Sequence, residues 1–240
     1  MMKVPDTPPR ILLDDVSLRR EARAVLSGLS LDLSDRRIGL VGRNGSGKST
    51  LIRALAGLVA PDAGRLTIDG VDVARDRAAA LRLVGLLFQN PDHQIIFPTV
   101  AEEMAFGLRQ QRHPDPDLEV RRMLARFDRA GWADRAVATL SQGQRHLVCL
   151  MSILAMRPRL LLLDEPMAGL DLPTIAALRR HLDALPQTLV HATHDLELLA
   201  GCDRVLWLEN GRLAGNGPPA DVLPAYRAAM TEARDAFADL

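Results

Sequence analysis

The pattern of apolar positions along the chain predicts strands that alternate with helices. Residues 29–34, LSLDLS, alternate apolar and polar side chains as a half-buried strand does, and residues 11–18 supply a partner strand. Short apolar runs, which are typical of strands buried in a parallel sheet, predict further strands. These cover residues 36–42, 81–88, 159–165, 188–193 and 204–213. Apolar residues at helical spacing predict helices over residues 49–58, 144–156, 172–184 and 195–200.

The stretch from Thr99 to about Trp132 is helical in pattern and has no strand character. Thr99 and Glu102 have the spacing of a capping box, so we expect a helix to begin there. Helices placed between two stretches of strand–helix alternation indicate an α/β core that carries an inserted α-helical subdomain.

Composition excludes some classes of protein. Hydrophobic residues make up 48% of the 240 positions and charged residues 25%, which is ordinary for a globular protein. The 30 basic and 30 acidic side chains cancel and no basic stripe is visible, so no nucleic-acid partner is expected. The longest apolar stretch, residues 147–156, is too short to span a bilayer, and the N-terminus lacks the apolar segment of a signal peptide. We therefore expect a cytoplasmic protein.

Residues 42–49, GRNGSGKS, carry the strongest chemical signal in the chain. They fit the phosphate-loop pattern G-x-x-x-x-G-K-[ST] and lie between a predicted strand and a predicted helix, as that motif requires. Backbone N–H groups of such a loop surround phosphate, the lysine reaches the β- and γ-phosphates, and the last hydroxyl binds Mg²⁺. The predicted nucleotide site comprises Gly42, Arg43, Asn44, Gly45, Ser46, Gly47, Lys48, Ser49 and Thr50. The alternative is a glycine-rich turn that caps the helix.

Two acids end the predicted strand at 159–165. Asp164 fits the acidic residue that holds Mg²⁺ in phosphate-loop enzymes, and Glu165 is placed to polarise the attacking water. A strand that ends in exposed acids without such a role is the alternative.

A second anion site is predicted at residues 140–144, LSQGQ. They open an amphipathic helix, which places Ser141 and Gly143 at its positive end. Such a site favours an anion, although the chain already has a phosphate loop.

Together these segments resemble the ATP-binding cassette (ABC) family over the whole chain. LSQGQ is similar to the family signature LSGGQ, with Gln142 in place of the first glycine. Gln89 matches the Q-loop, residues 168–171 match the D-loop, and His194 matches the switch histidine. The resemblance implies an α/β fold, a phosphate-loop core of ABC type with an antiparallel β-subdomain and an inserted α-helical subdomain. Residues 1–219 would form this single domain, with the helical subdomain at about 90–157, followed by a short helical tail at 220–240.

The resemblance also implies a head-to-tail dimer, formed with a second copy or with a paralogous ATPase. In this family the signature of one subunit closes over the ATP held by the phosphate loop of the other. The implied catalytic residues are Glu165, His194 and Gln89. The implied contacts in trans come from Ser141, Gln142, Gly143 and Gln144, with Asp171 in the D-loop. The implied cofactors are ATP and Mg²⁺, with the metal on Ser49, Gln89 and Asp164.

The chain departs from the family pattern in the segment that would bind adenine. The family usually stacks the base on an aromatic residue near the end of the first strand, where this chain reads VSLRRE. Arg20 is the candidate to stack its guanidinium on the base instead, and an ordinary solvated charge is the alternative.

Residues 89–100, QNPDHQIIFPTV, place Ile95, Ile96 and Phe97 among turn residues. In transporter ATPases this segment lies where a coupling helix of the membrane partner docks, so we expect these three to floor a docking groove. The alternative is that they pack the helical subdomain onto the core.

Within the family, this segment and residues 36–50 resemble the energy-coupling-factor (ECF) group, in particular the ATPases of biotin uptake. That likeness implies an ATPase, peripheral on the inner face of the membrane, that powers import of a vitamin, with biotin favoured. Its partners would be a transmembrane coupling protein and a small membrane substrate-binding protein. A cobalt or nickel importer is the alternative, and a non-transport ABC ATPase acting on nucleic acid is a further one.

Overall fold

The computed structural model of the protein describes residues 7–21 and 23–238. Residues 1–6, 22, 239 and 240 of the predicted domain and tail lie outside this part of the chain. The described residues form two compact units. Residues 7–80 together with 188–238 make up the first, which we call the terminal unit, and residues 81–187 make up the second, the middle unit.

The described chain holds ten strands and eight α-helices. The strands are β1 Ile11–Arg20, β2 Arg23–Leu33, β3 Arg37–Val41, β4 Ala63–Ile68, β5 Val71–Asp72, β6 Val84–Leu87, β7 Leu160–Asp164, β8 Thr188–Ala192, β9 Arg204–Glu209 and β10 Arg212–Gly217. The helices are α1 Lys48–Leu55, α2 Arg77–Leu83, α3 Val100–Gln110, α4 Pro116–Arg126, α5 Gln142–Ala155, α6 Leu172–Asp183, α7 Leu196–Leu199 and α8 Pro219–Ala238. None of these helices combines the length and the apolar character that crossing a membrane requires.

The terminal unit contains an antiparallel sheet and a set of parallel strands. Strand β1 pairs antiparallel with β2 on one side and β4 on the other, and β5 follows β4. Strand β3 runs parallel to both β8 and β9, and β10 returns antiparallel along β9. Ile38, Leu40 and Val41 of β3 are fully buried, as expected for a parallel strand covered on both faces. The predicted phosphate loop therefore begins at the end of a buried strand.

The middle unit pairs two parallel strands, β6 and β7, and contains helices α3 to α6. Strand β7 is buried at every position. Helix α5 packs so closely on β6 that a Cβ on Gly85 would overlap the Cγ2 methyl of Ile153. The predicted start of helix α3 is confirmed, because Thr99 and Glu102 form the two reciprocal hydrogen bonds of a capping box.

Two predicted strands are wrong in part. Residues 81–83 belong to helix α2, where strong helix formers follow Asp76, whose carboxylate accepts from the N–H of Ala79 at 2.9 Å. Residues 204–213 are a hairpin rather than one strand. Asn210 and Gly211 both have positive φ, 48° and 75°, which is the geometry of a tight mirror-image turn between twisted strands.

Candidate functional site

The predicted phosphate loop joins the end of β3 to the start of α1 in the terminal unit. Lys48 opens the helix, and its side chain turns back so that Nζ donates to the carbonyl oxygens of Gly42 at 2.7 Å and Arg43 at 3.2 Å. The residue is only 6% exposed. A buried ammonium needs hydrogen-bond acceptors or negative charge around it, and this loop supplies the acceptors.

The loop also carries a buried hydroxyl that can bind a further group. Ser46 Oγ is buried and meets no hydrogen-bond partner in the part of the chain that the structure describes. A Cβ on the neighbouring Gly45 would find nothing within 4 Å. An unsatisfied buried hydroxyl beside open space and a buried lysine is a set of donors that fits the phosphates of ATP.

Two further glycines of the loop are required by close packing. A Cβ on Gly42 would overlap the carbonyl oxygen of Leu208 in β9. Gly47 has φ of 106°, and a Cβ there would lie 2.7 Å from Leu26 Cδ2 and 2.9 Å from the carbonyl oxygen of Val25. The backbone can thus turn over strands β2 and β9 only where these positions carry no side chain.

The two predicted catalytic acids lie at the end of β7 in the middle unit. Asp164 is the last residue of the strand and is buried. Glu165 follows with φ of 49°, in the left-handed region, and its carbonyl accepts from the N–H of Ala168 at 3.1 Å. Seven other non-glycine residues of the described chain, Asn210 among them, also have φ near 50°, so this conformation marks a tight turn after the strand.

The predicted signature begins helix α5 with a second capping box. Ser141 Oγ accepts from the N–H of Gln144 at 3.2 Å, and Gln144 Oε1 accepts from the N–H of Ser141 at 3.0 Å. Gln142 is exposed, whereas a Cβ on Gly143 would overlap the Cγ2 methyl of Thr174 in helix α6. The signature therefore tolerates a side chain at position 142 and excludes one at position 143.

Thr174 also fixes the predicted D-loop. Asp171 is the N-cap of α6 and accepts from the N–H of Thr174 at 2.9 Å. Hydrogen bonds from the side chain and the backbone of Thr174 lower the pKa of the Asp171 carboxyl, which keeps it ionised. The side-chain amide of Gln142 lies 3.4 Å from the point where a Cβ on Gly169 would be. Signature and D-loop therefore meet within one unit.

The predicted Q-loop contacts the signature helix through a histidine. His146 is completely buried, and its Nε2 lies 3.1 Å from the carbonyl oxygen of Gln89. Its Nδ1 lies 3.3 Å from the carbonyl oxygen of Gln142. Burial lowers the pKa of the ring, so it is neutral near pH 7.

The remaining predicted residues lie in the terminal unit. His194 follows β8 in an exposed turn, where the N–H of Asp195 donates to Thr193 Oγ1 at 3.1 Å. Arg20 is exposed at the end of β1, opposite Arg23 of β2. The structure thus places the predicted phosphate loop in the terminal unit, and the predicted Q-loop, signature and D-loop in the middle unit.

Sequence reasoning missed Thr174 and His146. Thr174 carries no motif of its own, and only the packing of α6 reveals it. His146 lies on the apolar stripe of α5 together with Leu150 and Ile153, all three buried. A histidine on an otherwise apolar helix face is the one signal that would have singled it out, because a buried polar side chain requires hydrogen-bond partners.

Comparison with known proteins gives consistent results. Residues 26–168 match the family model described as ABC transporter. The biotin transport ATP-binding protein BioM of Rhodobacter capsulatus is 56% identical over 217 residues, 90% of this chain and 93% of the relative. The nickel import ATP-binding protein NikO of the same organism is 41% identical and covers 94% of this chain and 95% of its own length. Among solved structures, cbiO1 from Clostridium perfringens, part of the ABC transporter complex cbiONQ, has a TM-score of 0.77 at 26% identity and covers 92% of this chain and 93% of its own.

Contact of the signature with α6 leads to a prediction about Gly143. Gly143→Ala places a methyl group against Thr174 Cγ2, and overpacking of this kind costs about 1–3 kcal/mol. This cost destabilises the folded chain, so we expect the melting temperature to fall by about 2–4 °C for each kcal/mol. We also expect slower ATP hydrolysis, because the start of α5 has to shift to make room for the methyl group. Removal of the opposing methyl in a Gly143→Ala, Thr174→Ser double variant should restore much of the rate.

Gly131→Ala is the matched control, because it makes the same change at an exposed position of the same unit where a Cβ would meet no atom within 4 Å. We expect its rate of ATP hydrolysis to stay close to that of the unmodified chain. Equal loss in Gly143→Ala with and without the change at Thr174 would contradict the steric explanation.

Proposed function

The chain belongs to the ABC transporter family, and from that membership we propose that it is the ATPase of an ECF-type importer whose cargo is biotin. Members of this family bind and hydrolyse ATP to drive transport, and the chain is an enzyme of that kind. The observation that carries the choice of biotin is 56% identity to a biotin transport ATPase along almost the whole chain, against 41% to a nickel import ATPase.

For hydrolysis, the proposed roles follow from the chemistry of each side chain. Lys48 and the N–H groups of residues 42–50 hold the β- and γ-phosphates, because a buried ammonium and the N–H groups at the start of a helix favour negative charge. Glu165 orients and polarises the attacking water. His194 contacts the γ-phosphate and Gln89 senses the metal and the water. Arg20, exposed at the end of β1, is proposed to stack on adenine.

A magnesium ion is proposed to complete the site. Ser49, Asp164 and Gln89 offer a hydroxyl, a carboxylate and an amide oxygen, the oxygen ligands that Mg²⁺ prefers. When bound, the ion neutralises charge that develops on the β- and γ-phosphates. The chain's own residues position the nucleotide and the water.

Two copies of the chain, or one copy and a paralogue, are proposed to enclose two ATP molecules. Ser141, Gln142, Gly143 and Gln144 of one subunit then face the nucleotide held by its partner. The start of helix α5 suits this role, because the first N–H groups of a helix have no acceptor within the helix and point towards an anion.

Docking to a transmembrane partner at the inner face of the membrane is proposed for the segment around Ile96. Ile96 is 70% exposed, and Ile95 and Phe97 are half-buried. The rings of Phe97 and Phe106 lie 5.2 Å apart. Glu103, which is buried, accepts from the N–H groups of Ile96 and Phe97 at 2.8 and 2.9 Å with one carboxylate oxygen. These two hydrogen bonds fix the backbone with the Ile96 side chain in solvent. An exposed apolar patch of this kind suits an apolar helix of a partner.

Replacement of Glu165 tests the proposed chemistry. Glu165→Gln keeps the shape of the side chain and removes its charge, so ATP binding should remain while turnover falls about 10²- to 10⁴-fold. Phosphate release and ATP binding measured on the same protein separate the two effects. Glu232→Gln, the same change at an exposed site on α8, is the control and should hydrolyse ATP normally. Turnover near the normal rate in Glu165→Gln would exclude this residue as the group that activates water.

The docking surface has its own test. Ile96→Ser should leave the melting temperature of the isolated chain nearly unchanged, because the side chain is mostly in water already. It should reduce co-purification with the transmembrane partner. Leu58→Ser is the control, since Leu58 is 50% exposed and lies in the terminal unit. Normal co-purification of the Ile96→Ser chain with the transmembrane partner, at an unchanged melting temperature, would contradict the docking role of this residue.

Cargo can be assigned in Rhodobacter capsulatus, which holds both relatives. We expect this chain to restore uptake of labelled biotin in a strain that lacks its biotin transport ATPase. We expect no nickel uptake in a strain that lacks its nickel import ATPase, because the more similar chain retains more of the surface that matches the membrane partners. The Glu165→Gln chain is the control and should restore neither. Recovery of nickel uptake alone would assign the chain to the metal importer.

A further inference from the structure

The contact between His146 and Gln89 joins two segments that are 57 residues apart in sequence. Gln89 follows strand β6 and stands at the start of the Q-loop, whereas His146 lies in the first turns of the signature helix α5. The ring is completely buried, so the contact is shielded from competing water.

The two ring nitrogens of His146 lie near different carbonyl oxygens. Gln142 lies four residues before His146, so its carbonyl oxygen is the regular helical acceptor for the backbone N–H of His146. The carbonyl oxygen of Gln89 lies outside the helix and nearer to the ring, 3.1 Å against 3.3 Å. A neutral imidazole has one N–H, and we assign it to Nε2, where it donates to Gln89.

A second side chain of α5 reinforces the first. Arg145 Nε lies 3.1 Å from Asp92 Oδ1, and Arg145 Nη1 donates to the carbonyl oxygen of Leu140 at 2.9 Å. Leu140 immediately precedes Ser141, and Asp92 lies three residues after Gln89. Arg145 and His146, which are consecutive residues of α5, therefore contact the Q-loop segment and the start of the signature.

We propose that His146 is a positioning residue that ties the Q-loop to the signature and thereby couples the two ATP sites of the dimer. The proposal rests on the proposed function. There, Gln89 serves the nucleotide on its own subunit, whereas Ser141 serves the nucleotide on the partner. A change of position at Gln89 moves the signature because a buried hydrogen bond and an ion pair connect them. Each nucleotide then influences the binding of the other, as linkage requires.

The decisive measurement is the dependence of ATP hydrolysis on ATP concentration, with Mg²⁺ present and the full chain bound to its membrane partners. The unmodified complex should give a sigmoidal curve. His146→Leu, which removes both ring nitrogens, should give a hyperbolic curve, because it abolishes the coupling by which one bound ATP raises the affinity for the other, usually about fivefold or more. His146→Gln should keep the sigmoidal curve, because its amide N–H can reach the position of Nε2.

Two more variants separate coupling from stability. Met151→Ala removes a different buried side chain of α5, so it should lower the melting temperature yet keep the sigmoidal curve. Asp92→Asn weakens the ion pair with Arg145. Because Asp92 is exposed, the change should not impair folding. The curve should become less sigmoidal than that of the unmodified complex. This variant decides the matter if His146→Leu fails to fold.

The outcomes distinguish the inference from the proposed function. A complex of the unmodified chain that hydrolyses no ATP would overturn the proposed function. A complex that hydrolyses ATP with a hyperbolic curve would overturn the coupling alone. The coupling is also overturned if His146→Leu and Asp92→Asn both retain the sigmoidal curve of the unmodified complex.

Discussion

One buried positive charge, the ammonium of Lys48, determines how the terminal unit is built around the phosphate loop. Taking an ammonium out of water costs several kcal/mol unless acceptors surround it. Here the carbonyl groups of Gly42 and Arg43 turn inward to accept from it. That turn is possible only because Gly42 carries no Cβ against the carbonyl of Leu208 in β9. Strand, glycine and lysine are thus mutually dependent, and in the proposed site a phosphate would add negative charge beside the ammonium.

Features that depend on a few neighbouring residues could be predicted from sequence. The glycine-rich loop between β3 and α1, the Thr99 cap and the buried strand β7 each follow from chemistry within one short stretch. Errors arose where two local signals competed. The apolar character of residues 81–83 suggested a strand, but the preceding alanines and the Asp76 cap extend a helix through them. At 204–213 the apolar run obscured an Asn–Gly turn, which is a hairpin signal in its own right.

Features that depend on contacts between different elements could not be predicted. Nothing local distinguishes Ile96 from Ile95 and Phe97, yet only Ile96 is largely exposed. The difference comes from Glu103, whose buried carboxylate fixes the backbone of this segment from the next helix. The same holds for His146 with Gln89 and for Gly143 with Thr174, since each pair meets only when the middle unit is packed.

In the signature, the backbone and the side chains have different proposed roles. In the proposed sandwich, the partner's phosphate is bound by N–H groups at the start of α5, and these need no particular side chain at position 142. Ser141 can take part as well, because a hydroxyl that accepts from Gln144 still has its own proton to donate. Gln142, which replaces the first glycine of the family signature, therefore stands at a position where a side chain leaves these N–H groups unchanged. The side chain of Gln142 lies close to Gly169 in the D-loop. Position 143 requires glycine, because the methyl group of Thr174 fills the space that a Cβ would need.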